Sequence, residues 1–274
     1  MNESLTRLLS GVVYVTLLLW ATSYSADSFF ILFGVFMLIA IYEFSQLVQL
    51  NKIAPLLLGG IAFYFGTQFR TNKTNDILIL IATLFVSIKC LMLLFNTKKE
   101  KIDSLSKYIY TIGYIILPFI LLAKIPFSNN TYRPKIVISI FILIWTNDTF
   151  AYIVGKSIGK HKLLEKISPK KTIEGFIGGM LFSVLAGFLI SKYYFQPKPH
   201  YYQTSVLIWT ISAAIISVFS TLGDLIESKF KRIAGVKDSG KIMPGHGGIL
   251  DRLDSVIFVA PFVFLFYQIL DYVS

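Results

Sequence analysis

Residues 223–255 read GDLIESKFKRIAGVKDSGKIMPGHGGILDRLDS, a polar stretch between two apolar runs that are each long enough to cross a bilayer. It carries Asp224, Glu227, Asp238, Asp251 and Asp254 alongside Lys229, Lys231, Arg232, Lys237, Lys241 and Arg252, with a Pro244-Gly245-His246-Gly247-Gly248 turn in between. An ordinary connection needs none of these. Carboxylates hold a hard divalent cation, and clustered Lys and Arg offset the charge of a polyphosphate, so the composition of the stretch points to that pair of ligands.

Outward from it, the chain of 274 residues is 55% hydrophobic and only 15% charged, which places it in the membrane class. The expected fold is all-α: a polytopic integral membrane protein of about nine transmembrane helices, with a polar cavity open to the cytoplasmic side. A spanning helix needs ~20 mostly apolar residues. Candidate spans fall at roughly 7–22, 27–49, 53–70, 75–96, 105–123, 134–155, 174–195, 204–226 and 253–273. Pro55 and Pro134 fall near helix starts, and Pro118 inside the fifth span predicts a kink. Residues 1–130 read as hydrophobic helices for anchoring and packing, and 131–274 as the catalytic membrane domain. Arg7, the apolar run 11–20 and Ala21 and Ser23 resemble a secretory signal. The next apolar run begins at once, at Phe29, which fits a membrane hairpin instead.

The net charge of +11 does not indicate nucleic acid in so apolar a chain, and no nucleic-acid reading motif is present. Anionic headgroups and phosphate-bearing substrates suit it better. Cys90 is the single cysteine, which excludes an intrachain disulfide. Most Lys and Arg flanking the spans fall on the side of the N-terminus, among them Lys52, Lys98, Lys99, Lys101 and Lys107, the lysines of 156–171 and those of the opening stretch. Arg70, Lys73 and a few others fall opposite. The basic side is expected to be cytoplasmic.

With that orientation Glu43, Asp148, Asp224, Glu174, Asp251 and Asp254 lie at one depth. An acid at the bilayer centre costs ~2.5–3.5 kcal/mol, so several at one level imply a shared polar cavity. Ser217, Thr221, Asp224 and Ser228 share one helical face, which should line it. Asp224 with Glu227, and Asp251 with Asp254, are i, i+3 pairs. Asp224 is read as closing one helix and Asp251 as opening the next, so the pairs can meet on one cation. Arg232 and Arg252 can instead neutralise them as ion pairs.

Gly245, Gly247 and Gly248 permit a turn whose N–H groups cradle phosphate oxygens, and His246 can donate a hydrogen bond there or serve the turn structurally. Ser168-Pro169 reads as an N-cap with Pro at the first helical position, a start that favours anions, with Lys170 and Lys171 either strengthening that site or setting topology. Gly175 and Gly179 give a close-packing face, compatible with a homodimer. Gly155-Lys156-Ser157 resembles the end of a phosphate-binding loop, but Phe150 stands where that motif needs Gly, and Gly155 is read as ending its helix.

Ser228-x-x-Lys231-Arg232, Lys237-Asp238 and Pro244-x-His246-Gly247-Gly248-x-x-Asp251-Arg252-x-Asp254 resemble the signature of phosphatidate cytidylyltransferases, also called CDP-diacylglycerol synthases. Asp148 with Ala151-Tyr152, and the element from Ser168 to Gly175, are similar to further features of that family. The resemblance covers the C-terminal half. It implies that CTP and phosphatidic acid give CDP-diacylglycerol and pyrophosphate with magnesium, in the cell inner (cytoplasmic) membrane, with the N-terminus and site facing the cytoplasm. Asp224, Asp251 and Asp254 would hold the metal, and Lys231, Arg232, Lys237, Arg252 and His246 would serve the phosphates. Ser168, Lys170, Lys171, Asp148, Gly247 and Gly248 would bind substrate. A CTP-dependent polyprenol or phytol kinase is another reading, separated by release of CDP rather than pyrophosphate; an ion-coupled transporter is a third, against which stand the lack of an evident internal repeat and the basic partners of the acids.

Overall fold

A computed structural model describes residues 3–68, 73–96, 102–128 and 131–273. Arg70, Lys98, Lys99 and Lys101, counted above for orientation, lie outside the described residues. Apolar runs with few charges become helices because lipid leaves no other way to satisfy the backbone. The helices are α1 (Glu3–Tyr24), α2 (Ala26–Leu47), α3 (Ile53–Gln68), α4 (Lys73–Phe95), α5 (Ser104–Tyr110), α6 (Leu117–Lys124), α7 (Pro134–Ile158), α8 (Ile173–Leu189), α9 (Tyr202–Ala234) and α10 (Leu250–Val273). A π-helical turn, Thr111–Ile116, joins α5 to α6 just before Pro118, so those two form one broken span.

Among the described residues, eight helices are long and apolar enough to cross a membrane. The third predicted span, α3, has only 16 residues, a length of roughly 24 Å. The protein is an all-α, multi-pass membrane protein. Its outer surface is apolar: Leu8, Leu57, Leu78, Met92 and Leu181 are all more than half exposed. The inner faces form one continuous core, which includes Leu18, Phe33 and Phe44 from the first two helices and Phe230, Leu253 and Phe258 from the last two.

Three local expectations are corrected. Asp224 does not close its helix. The helix runs on to Ala234 because the next turns have partners: Phe230 packs on Phe44, Tyr110 and Tyr114 at ring distances of 5.0, 5.2 and 5.6 Å, and Glu227 pairs with Lys231 one turn later. Ser168 is not an N-cap. Ser168–Thr172 forms a strand antiparallel to Lys162–Leu164, and Thr172 caps α8 by accepting from the Gly175 N–H at 3.1 Å. Gly155 does not end α7, which continues to Ile158. A side chain at Gly155 would press on Thr172, so this glycine serves helix packing. The close-packing face read at Gly175 and Gly179 is used within the chain, against α7. A Cβ at Gly175 would lie 2.6 Å from the Ala151 carbonyl oxygen, and one at Gly179 2.7 Å from that of Asn147.

Candidate active site

The start of α1, the end of α2, the last turns of α7, the start of α8, the middle of α9 and the start of α10 meet at one end of the bundle. Ser10 on α1 donates to the Pro244 carbonyl oxygen and bonds His246 Nδ1 at 2.7 Å. Glu43 on α2 is 1% exposed and accepts hydrogen bonds from the N–H groups of Ile249 (3.2 Å) and Leu250 (2.8 Å) and from the Ser239 hydroxyl (3.3 Å). A carboxylate at a helix start satisfies N–H groups that have no partner within the helix, so Glu43 caps α10 from a distant part of the chain.

Asp251 serves the same loop. Its Oδ2 accepts from the Ser239 N–H (2.9 Å), the Ser239 hydroxyl (2.9 Å) and the Gly248 N–H (2.7 Å), and its Oδ1 accepts from Lys231 Nζ at 2.6 Å. Gly247 has φ +88°, a left-handed conformation, and a Cβ there would lie 2.5 Å from Asp251 Oδ2. Of the turn read as a phosphate cradle, the Gly248 N–H is taken by Asp251, and the next two N–H groups, of Ile249 and Leu250, by Glu43. Lys231 is held between Glu227 and Asp251.

The remaining acids face space. A cavity of about 420 Å³ is lined by Asp148, Asp224, Asp251, Arg252 and Asp254, with Lys231, Asp238, Met243 and His246 from the loop side. Its far wall is apolar and comes from α1 and α7, with Tyr14, Val15, Phe141, Ile144 and Trp145. A second cavity, about 570 Å³, lies on the other side of Asp148 and Asp224, which line both. It holds Lys156, Lys162, Lys170 and Lys171, together with Tyr152, Thr172, Phe176 and Thr221.

Helix contacts put these carboxylates together. Gly223 brings α9 against α10, since a Cβ there would lie 2.7 Å from the Asp254 carbonyl oxygen. Ser217 donates to Asn147, and Asn147 donates to Ser220 (3.2 Å) and Asp148 (3.2 Å), which ties α9 to α7. Of the face Ser217, Thr221, Asp224 and Ser228, Thr221 and Asp224 reach the cavities, while Ser217 joins helices and Ser228 donates to Asp224 at 3.2 Å. Asp224 also pairs with Lys171 Nζ at 2.7 Å. Asp254 accepts from the Ser255 N–H at 2.6 Å.

The shared cavity thus has fewer acids than expected. Glu43 caps α10, and Glu174 binds His161 Nδ1 (2.5 Å) and the Lys160 N–H (3.0 Å), anchoring the β-hairpin loop. Arg232 donates to the Ile167 and Val236 carbonyl oxygens, and Lys237 is exposed; neither lines the two cavities, nor do Ser168, Gly247 and Gly248, although the two glycines touch Asp251, which does. His246 lines the first cavity, and partial burial together with Arg252 and Arg7 lowers its pKa below the usual histidine value. Sequence reasoning missed Ser10, Tyr14, Lys156 and Lys162 as site residues. Glu43 did signal itself as an acid within an apolar run, though not what it would do.

Oxygen donors are the right chemistry for a hard divalent cation. Among the described residues no three acidic, His or Cys side chains stand close enough together to enclose one. Magnesium usually takes one or two carboxylates and completes its shell with substrate phosphates and water, so Asp224, with Asp148 or Asp254, fits such a half-site. Asp251, which accepts four hydrogen bonds from the protein, has less capacity left for it than Asp224, which accepts from Ser228 and Lys171.

The fold and site define a membrane-embedded helical bundle with carboxylates and lysines around two adjoining cavities. The model of the cytidylyltransferase family matches residues 5–270, and the chain belongs to that family. A phosphatidate cytidylyltransferase of Staphylococcus saprophyticus subsp. saprophyticus is 35% identical over 234 residues, 82% of this chain and 85% of that protein. Proteins of the same name from Staphylococcus aureus (strain COL) and Staphylococcus epidermidis (strain ATCC 35984) are 52% and 50% identical over 121 and 127 residues. Those stretches are 44% and 46% of this chain and the same shares of the relatives.

Proposed function

We propose that the protein is a phosphatidate cytidylyltransferase: it transfers CMP from CTP to phosphatidic acid, giving CDP-diacylglycerol and pyrophosphate. An oxygen of the lipid phosphate attacks the α-phosphorus of CTP, the bond from that phosphorus to the β-phosphate bridging oxygen breaks, and pyrophosphate leaves. The second pKa of a phosphomonoester is about 6, so at neutral pH the attacking oxygen is already largely deprotonated and no strong base is required. The barrier is mainly repulsion between two anions. Arg252 and Lys171, set beside Asp224 and Asp148, lower it by offsetting phosphate charge where the two substrates meet.

Asp224, with Asp148 or Asp254, would hold magnesium, which would supply further positive charge to the phosphates. Lys231 acts indirectly, fixing Asp251 and with it the loop that carries His246 and the start of α10, which carries Arg252. The protein sits in the cytoplasmic membrane with its N-terminus and both cavities toward the cytoplasm, as the excess of Lys and Arg at that end supports. The observation that carries this reading is the wall of Asp148, Asp224 and Asp254 faced by Arg252 at the end of the bundle. The test supplies purified protein with radiolabelled CTP, phosphatidic acid and magnesium. Label should enter the organic phase with one pyrophosphate released per lipid; release of CDP instead, or no labelled lipid, overturns it.

A further inference from the structure

A single hydroxyl proton cannot serve the three contacts that Ser10 makes. Its Oγ lies 3.0 Å from the Arg7 carbonyl oxygen, 3.0 Å from that of Pro244 and 2.7 Å from His246 Nδ1. A serine hydroxyl has one O–H and two lone pairs, so it donates once and otherwise accepts. The Arg7 carbonyl lies inside α1, where the helix ladder supplies its donor. The Pro244 carbonyl has no such supply. In its turn the Met243 and Gly247 carbonyl oxygens accept from the His246 and Met243 N–H groups, and that of His246 accepts from Arg252 at 3.2 Å. Among the described residues, Ser10 is the donor left for Pro244.

With the hydroxyl proton on Pro244, the 2.7 Å contact to His246 Nδ1 needs a proton from the ring. Nδ1 then carries the hydrogen, and in the neutral ring Nε2 keeps a lone pair. The opposite tautomer makes one hydrogen bond where this one makes two. Nε2 has no partner among the described residues, and the ring lines both the smaller cavity and a shallow groove along α1. Its Cε1–Nε2 edge passes over Gly11, 3.6 and 3.9 Å from where a Cβ would stand, and Gly11 lines the same two hollows. Partial burial, Arg252 and Arg7 lower the pKa of the ring, which keeps it uncharged at neutral pH. An uncharged ring with a bare Nε2 accepts a hydrogen bond from a ligand and gives none.

We infer that Ser10 is a positioning residue for His246: it holds the ring as the Nδ1–H tautomer, so that Nε2 faces the site as a hydrogen-bond acceptor for an O–H group of a substrate. A phosphate oxygen without its proton does not fit there, since two lone pairs would face each other. Under the function proposed above, two substrate groups have the required chemistry: the ribose hydroxyls of CTP, and the acidic hydroxyl of a singly charged lipid phosphate. The tautomer rests on geometry alone; its use in the reaction rests on that proposed function.

Nitrogen NMR of the full chain in nanodiscs, with nitrogen-15 histidine, reads the tautomer directly. The chain has three histidines, and His246 is assigned by the signals lost in His246→Ala. At about pH 8, above the ordinary histidine pKa of about 6.5, Nδ1 is expected at the shift of a protonated, pyrrole-type nitrogen and Nε2 at that of a bare, pyridine-type one. In Ser10→Ala the pair moves toward the Nε2–H form that free histidine favours, whereas Ser10→Thr keeps the first pattern. A pyridine-type Nδ1 in the unchanged protein overturns the inference whether or not any variant folds. Turnover is the second readout. Ser10→Ala is expected to lower kcat/KM for CDP-diacylglycerol formation roughly three- to tenfold, the loss of one hydrogen bond, and to lower it no further in a His246→Ala background. With 2′,3′-dideoxy-CTP in place of CTP, a vanished Ser10→Ala penalty puts the donor on the ribose, and an unchanged penalty puts it on the lipid phosphate. No fall in Ser10→Ala, or an equal fall with and without His246, overturns the positioning role. If the unchanged protein makes no CDP-diacylglycerol, the proposed function fails, and the NMR pattern still decides the tautomer.

Discussion

Glu43 and Asp251 on one side, and Asp148 and Asp224 on the other, are the same kind of residue at the same end of the bundle, yet they do opposite work. The first two are saturated by N–H, hydroxyl and ammonium donors of the protein. The second two border open space, with Asp148 exposed to the cavities and the Asp224 side chain still 38% exposed beside Lys171. Carboxylates that accept three or four hydrogen bonds from the protein build the fold, and those with more lone pairs left facing a cavity are available to a ligand. Acidic clusters in a membrane protein therefore have to be sorted by what already donates to them.

The sharpest way to break this comparison is Asp224→Asn. Turnover should fall ~10²–10³-fold, the scale for removing one transition-state electrostatic group, while the thermal midpoint in detergent stays within about 2 °C, since a partly exposed ion pair adds little to stability. Loss of folding in that variant would place Asp224 with the structural acids. Next come Glu43→Gln and Asp251→Asn, each expected to cost about 1.5–3 kcal/mol of stability, because an amide cannot accept from every donor that now points at the carboxylate. A clear fall in thermal midpoint, with activity falling alongside it, is the expected result; an Asp251→Asn protein that is as stable as the parent and inactive would return Asp251 to the metal site.

A smaller effect is expected from Gly247→Ala, about 1–3 kcal/mol, from the positive φ and the contact with Asp251. The slightest concerns His246, whose folded-state pKa lies below the unfolded value of about 6.5. Folding then favours the neutral ring. Its contribution is fully present above about pH 6.5 and is lost as pH falls toward the lower folded-state pKa. An NMR titration of the ring should give a midpoint below that of an unfolded peptide. Replacing Arg252 by Gln should move it up.

The span pattern was legible because helix-length apolar runs are the only economical way through a bilayer, and the predicted runs closely match the helices except where tertiary contacts extend them. Residues 227–234 read as loop because they are charged, but Phe230 packs into an aromatic cluster and Glu227 pairs with Lys231, so the helix continues. Ser168-Pro169 read as a helix start on local chemistry; pairing with Lys162–Leu164 decided otherwise. The Gly turn read as an anion cradle because sequence shows which N–H groups a turn frees, not which carboxylate reaches them. Glu43 lies about two hundred residues from the loop it caps, beyond any local rule.

By itself the sequence determined that this chain lies in a membrane as a helical bundle and that its signature carries phosphate and cation chemistry, since burial in lipid and the charge of side chains are properties of the residues. Only the tertiary structure decided which acids remain open to a ligand, that α1 and α2 help to build the site, and that two cavities meet at Asp148 and Asp224. Hydrogen-bond saturation depends on distant groups brought to within about 3 Å, and that proximity is created by helix packing rather than by order along the chain.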